Sequence, residues 1–127
     1  MEQLLAHLAG DYILQSHDMA TNKSKSSSWC LYHAFTYTIP FLFLTQNIES
    51  LFWVCIGHFI IDRFGLARYT VKLKNIWLGD LTKLNESETY NTNTGYPKET
   101  PDYMSIWLYI ITDNTLHLIW NYNIVAR

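Results

Sequence analysis

A chain of 127 residues has room for one sizeable core, so a single helical domain over 1–127 is expected. Nine Lys+Arg against eleven Asp+Glu leave a net charge of -2, too little bias to indicate a nucleic-acid partner. Charged residues are only 16 %, against roughly 25 % in ordinary soluble domains, and aromatics also reach 16 %, so this chain favours apolar surroundings.

The first predicted helix covers roughly residues 2–20. Its opening, "MEQLLAHLAGDY", has Glu2 where a signal peptide carries Lys or Arg, and polar residues soon interrupt it, so no cleavable signal is expected. The polar linker "TNKSKSSS" follows, with Ser26 to Ser28 offering caps for a second helix over 29–46. "LTQNIES" turns the chain into a third helix over 49–72. Cys30 and Cys55 sit in apolar runs with no CxxC spacing and read as packing residues. A polar, turn-rich loop over 75–101 leads to a fourth helix, 103–124, capped by Asp102.

Short early connections and one long return make these segments an all-α, antiparallel four-helix bundle. In that topology Lys23, Lys25, Arg63, Arg68, Lys72, Lys74, Lys83 and Lys98 gather at one end and only Arg127 lies at the other. Such one-sidedness is what the positive-inside rule expects of an inner-membrane protein whose basic loops are cytoplasmic. The fourth helix has the ~20 residues a span needs, and helices two and three approach it, whereas the first is polar for a span. The competing reading is a soluble cytoplasmic bundle whose two polar loops hold polar residues of every kind.

The third helix contains "IGHFIIDRFGLARY", an apolar run in which His58 and Asp62 stand one turn apart on one face. The spacing recurs in His7 with Asp11 and in Asp113 with His117. Random placement of five His and six Asp gives roughly 0.5 such pairs, so three are not a chance outcome. Two helices running one way read His then Asp, and the fourth, running back, reads Asp then His. That reversal sets the histidines at one level and the aspartates at another, about 6 Å apart. His33, a turn into the second helix, adds a fourth wall. His17 stays outside the pattern.

Four imidazoles and three carboxylates (His7, Asp11, His33, His58, Asp62, Asp113, His117) suit a binuclear centre of Zn, Mn, Fe or Ni, with one or two ions. Some carboxylates could instead orient imidazoles. A lone pair of this kind would read as a buried His–Asp hydrogen bond.

The segments "LLAHLAGDYILQS", "LYHAFTYTIPFLF", "GHFIIDRFGLARY" and "DNTLHLIWNY" resemble the small bacterial and phage proteins of domain of unknown function 3307 (DUF3307). The resemblance spans nearly all of the chain outside the 75–100 loop and implies a helical, membrane-associated protein without naming an activity. By type of site, not by aligned motif, the pattern is also similar to membrane-bound metal-dependent hydrolases.

A His/Asp two-metal centre most often activates water for in-line phosphoryl displacement, which points to a metal-dependent hydrolase of a phosphodiester or a nucleotide or lipid phosphate. Arg63, Arg68 and Lys72 are candidates to hold the substrate phosphate; exposed or juxtamembrane cations are the plainer reading of the same residues. No catalytic acid is assigned. Two other classes remain open, a membrane protein binding or relaying ions or protons and a structural metal site; a bis-histidine haem bundle would need no carboxylate one turn from each histidine.

Overall fold

The computed structural model describes residues 1–79 and 90–125, which are mainly helical with no β-strand among them. Six α-helices follow in order: α1 Glu2–Leu8, α2 His17–Asn22, α3 Ser27–Thr38, α4 Ile48–Phe64, α5 Leu66–Leu78 and α6 Asp102–Val125. A π-helical segment, Ala9–Ile13, continues α1, and a 3-10 segment, Ile39–Phe43, continues α3. Lys83 and Arg127, and much of the 75–101 loop, lie outside the described residues.

Two of the four expected helices are broken. The first gives way after Ile13, and Ser16 starts α2 by accepting the Met19 N–H at 3.3 Å on Oγ. The 49–72 segment breaks at Gly65, whose left-handed backbone (φ 59, ψ 49) is disfavoured for any residue with a Cβ. The second expected helix tightens after Thr38, because Pro40 has no N–H to continue the α-ladder. Asn47 Oδ1 accepts the Glu49 N–H at 2.9 Å and starts α4. α6 needs no correction beyond a residue at each end.

The chain divides into two compact units, Met1–Phe64 with Leu116–Arg127, and Gly65–Thr115. In the first unit, Ala6, Tyr37, Phe41 and Val54 form the apolar core, with Leu44, Leu51, Ile124 and Val125 against it. Two glycines set its close approaches. A Cβ on Gly10 would strike Tyr37, and one on Gly57 would fall on the indole of Trp120, whose Nε1–H donates to the Trp53 carbonyl at 2.8 Å. In the second unit, α5 buries Ala67 and Val71, and a turn closed by the Tyr90–Pro97 bridge packs on it through Gly95. Lys74 donates to the Tyr96 hydroxyl there at 3.0 Å.

No single helix among the described residues is long and apolar enough to cross a membrane; α4 and α5 reach that length and apolarity only as a broken pair. Many large apolar side chains are nevertheless exposed, Phe43 at 89 % and Ile48 at 81 % among them.

Candidate metal centre

The first unit buries a polar cluster in its middle. α1 supplies His7, the π segment Asp11, α3 His33, α4 His58 and Asp62, and α6 His117, all buried. The helical period explains the pairs: one turn brings His7 Nδ1 to 3.4 Å from Asp11 Oδ2 and His58 Nε2 to 3.2 Å from Asp62 Oδ2. Asp11 sits in the π segment, a widened turn that is over-represented at functional sites.

Four of these residues converge on one point. His33 Nε2 lies 3.1 Å from Asp11 Oδ1 and 3.4 Å from Asp62 Oδ2. His58 Nε2 lies 3.4 Å from Asp11 Oδ1 and 3.2 Å from Asp62 Oδ2, and the two Nε2 atoms are 3.0 Å apart. An ion bound tetrahedrally at about 2.0–2.1 Å separates its ligand atoms by roughly 3.3 Å. The Asp11, His33, His58 and Asp62 ligand atoms all lie within 4.8 Å of one another, a buried donor set that could hold a metal ion.

Hydrogen bonds alone serve this arrangement poorly. Two facing Nε2 atoms accommodate one proton between them, so one ring presents a lone pair among carboxylate oxygens unless a cation intervenes. Nδ1 of His33 and of His58 is buried without a hydrogen-bond partner, so no second bond dictates either tautomer. A metal on Nε2 would put the proton on Nδ1.

Electrostatics divides the cluster. Burial drives the His58 imidazole down to about 4, against the pull of Asp62, so it is neutral at pH 7. Burial also opposes charge on His33, but its hydrogen bonds to Asp11 and Asp62 outweigh that and raise it. Asp11 is lowered despite burial, by the hydrogen bond from His33 and the charges around it. Asp62 is held well below the usual carboxylate range, burial again being outweighed by His58, Lys23 and His33.

His117 Nε2 stands 3.6 Å from Asp62 Oδ1, and its ring stacks on His7 at 5.6 Å. Asp113 is half-buried one turn before His117 on α6 and belongs to the second unit. Arg63 turns to the backbone, donating to the Ser24 carbonyl at 2.8 Å and to Ser27 Oγ at 3.1 Å. Arg68 and Lys72 line a pocket of about 300 Å³ in the second unit with Tyr69, Tyr90 and Asn91. His17 is exposed at the start of α2.

Three residues of the site escaped the spacing argument. Lys23, in the polar linker, places Nζ 2.8 Å from Asp62 Oδ2. The Tyr37 hydroxyl, 2.9 Å from His7 Nδ1, accepts from Asn121 Nδ2 at 2.6 Å, and the Tyr37 ring stacks on His58 at 3.6 Å. Tyr37 and Asn121 follow His33 and His117 by four residues, so the helical period that found the His–Asp pairs also reaches them once Tyr and Asn count as polar partners. Nothing in the linker distinguishes Lys23 from Lys25.

The fold and the cluster define a helical protein with a buried His/Asp centre. The chain belongs to DUF3307, a family of proteins of unknown function whose model matches residues 1–121. No curated protein and no solved structure matches it.

Proposed function

We propose that this protein is a metal-dependent hydrolase of phosphoesters. The observation that carries the reading is the convergence of two imidazole nitrogens, 3.0 Å apart, with two carboxylate oxygens that each lie within 3.4 Å of both nitrogens. A bound divalent ion supplies Lewis acidity and an acidified water. Asp11, His33, His58 and Asp62 would hold the ion, with burial limiting competition from bulk water. In the reaction water adds to phosphorus and loses a proton, the ester P–O bond breaks, and the departing alkoxide takes up that proton and leaves as the alcohol.

The test is elemental analysis of protein purified without chelator, followed by hydrolysis of bis(p-nitrophenyl) phosphate with and without chelator. Bound Zn, Mn, Fe or Ni with chelator-sensitive hydrolysis is expected. Metal-free, inactive protein that takes up none of these ions overturns the reading. A purely structural ion is the competing possibility, favoured by the burial of all four donors, and it predicts metal without turnover.

We also infer that the enzyme works at a lipid surface. From Ser27 to Ile61 the sequence of α3 and α4 has one charged residue, Glu49, and Phe35, Ile39, Phe43, Ile48 and Phe52 are exposed there. Flotation with phospholipid vesicles checks this; protein remaining at the bottom of the gradient counts against it.

A further inference from the structure

Lys23 is the member of the cluster that meets solvent. Its side chain is 21 % exposed, whereas those of Asp11, His33, His58 and Asp62 are between 0 % and 8 %. It ends α2, where its N–H bonds to the Met19 carbonyl at 2.9 Å. The turn that follows is fastened twice over: Ser26 N–H bonds to the Asn22 carbonyl at 2.8 Å, and Arg63 from α4 grips Ser24 and Ser27. The ammonium is thus delivered to Asp62 from a braced backbone and stands between the buried donors and the outside.

Charge decides what it does there. Asp11 and Asp62 together carry two negative charges, which one divalent ion neutralises. With Lys23 in place the loaded group carries one net positive charge, the condition for drawing an anion inward. A second divalent ion on the Oδ2 side of Asp62 would add two more positive charges there and would have to displace an ammonium 2.8 Å away.

We propose that the centre holds one metal ion and that Lys23 takes the part of the second cation, anchoring the phosphoryl oxygens of the substrate at the mouth of the site. An ammonium has three N–H donors, so contact with Asp62 and with a phosphoryl oxygen are compatible. The proposal rests on the metal-hydrolase reading and adds the residue that recognises the anion.

The test loads the full chain with Zn²⁺ alone, counts ions by elemental analysis, and then titrates inorganic phosphate by calorimetry. Wild type should hold one equivalent and bind phosphate. Lys23→Met should keep its equivalent and bind phosphate roughly tenfold or more weakly, and Lys23→Arg should stay near wild type. Because Lys23→Met could fold poorly, wild type is also treated with an amine-acylating reagent and read by mass spectrometry. Phosphate should protect Lys23 and leave Lys25 unprotected. Two ions bound with Lys23 present, phosphate binding unchanged in Lys23→Met, or labelling of Lys23 indifferent to phosphate would each overturn the proposal and leave the metal reading standing. Wild type that takes up no Zn²⁺ overturns both.

Discussion

His33 Nε2 and His58 Nε2 meet at 3.0 Å between α3 and α4, with an oxygen of Asp11 and one of Asp62 each within 3.4 Å of both. One proton can bridge the two rings, but the accepting nitrogen then faces the Asp11 and Asp62 oxygens with a lone pair and no proton to share with them. The contact is the reason to treat the cluster as a cation site and not as a set of separate His–Asp pairs.

Asp62→Asn keeps the size of the side chain and removes a charge that a divalent ion would use. Metal occupancy should fall, and with it the gain in melting temperature on metal loading and any phosphoesterase activity. His17→Ala, at an exposed position on α2, should change neither. Elemental analysis and calorimetric melts of the two variants decide; full occupancy in Asp62→Asn would remove Asp62 from the ligand set.

Metal-free protein should be most stable near pH 6.5, the ordinary histidine value. His58 titrates near 4 when folded, so between 6.5 and 4 the unfolded chain takes up the proton first and stability falls as pH falls. His33 is raised when folded, so its contribution is complete below 6.5 and is lost as pH rises through its folded value. Asp11 and Asp62, both lowered, extend the loss on the acid side below 3.8. Urea midpoints between pH 4 and 9 in chelator would record the maximum; a monotonic profile would contradict it.

Tyr37→Phe removes the hydroxyl bonded to Asn121 and lying beside His7, inside the core. Leaving the buried Asn121 amide without this acceptor should cost about 1–3 kcal/mol. Metal content should persist, since the phenyl ring still stacks on His58. Thermal melts that match wild type would show the hydroxyl to be dispensable.

Gly57→Ala sets helix propensity against packing. Alanine favours a helix by about 1 kcal/mol, but its Cβ would overlap the Trp120 indole, and overpacking typically costs about 1–3 kcal/mol. Net destabilisation is expected, with a change in tryptophan fluorescence as the Trp120–Trp53 hydrogen bond is lost. A variant more stable than wild type would mean that Trp120 moves aside freely.

The paired residues were legible because the helical period is a local rule: four residues apart means one face, whatever the rest of the chain does. That rule needs only the sequence, and it selected His7 with Asp11, His58 with Asp62 and Asp113 with His117 as partners along their own helices. Apolar segment length likewise marked the helical stretches. The breaks at Ser16 and Gly65 were less visible, since both residues stand inside stretches whose apolar periodicity continues on either side. Only the tertiary structure decided which polar groups meet across helices. It turned Lys23 inward to Asp62 and sent Arg63 to the Ser24 carbonyl, although the sequence offers both as equivalent cations. It also gave Gly57 its purpose, because Trp120 lies 63 positions along the chain and reaches that glycine only when α6 packs on α4. Spacing fixes which side chains share a face; where a face points depends on long-range packing, which no local period encodes.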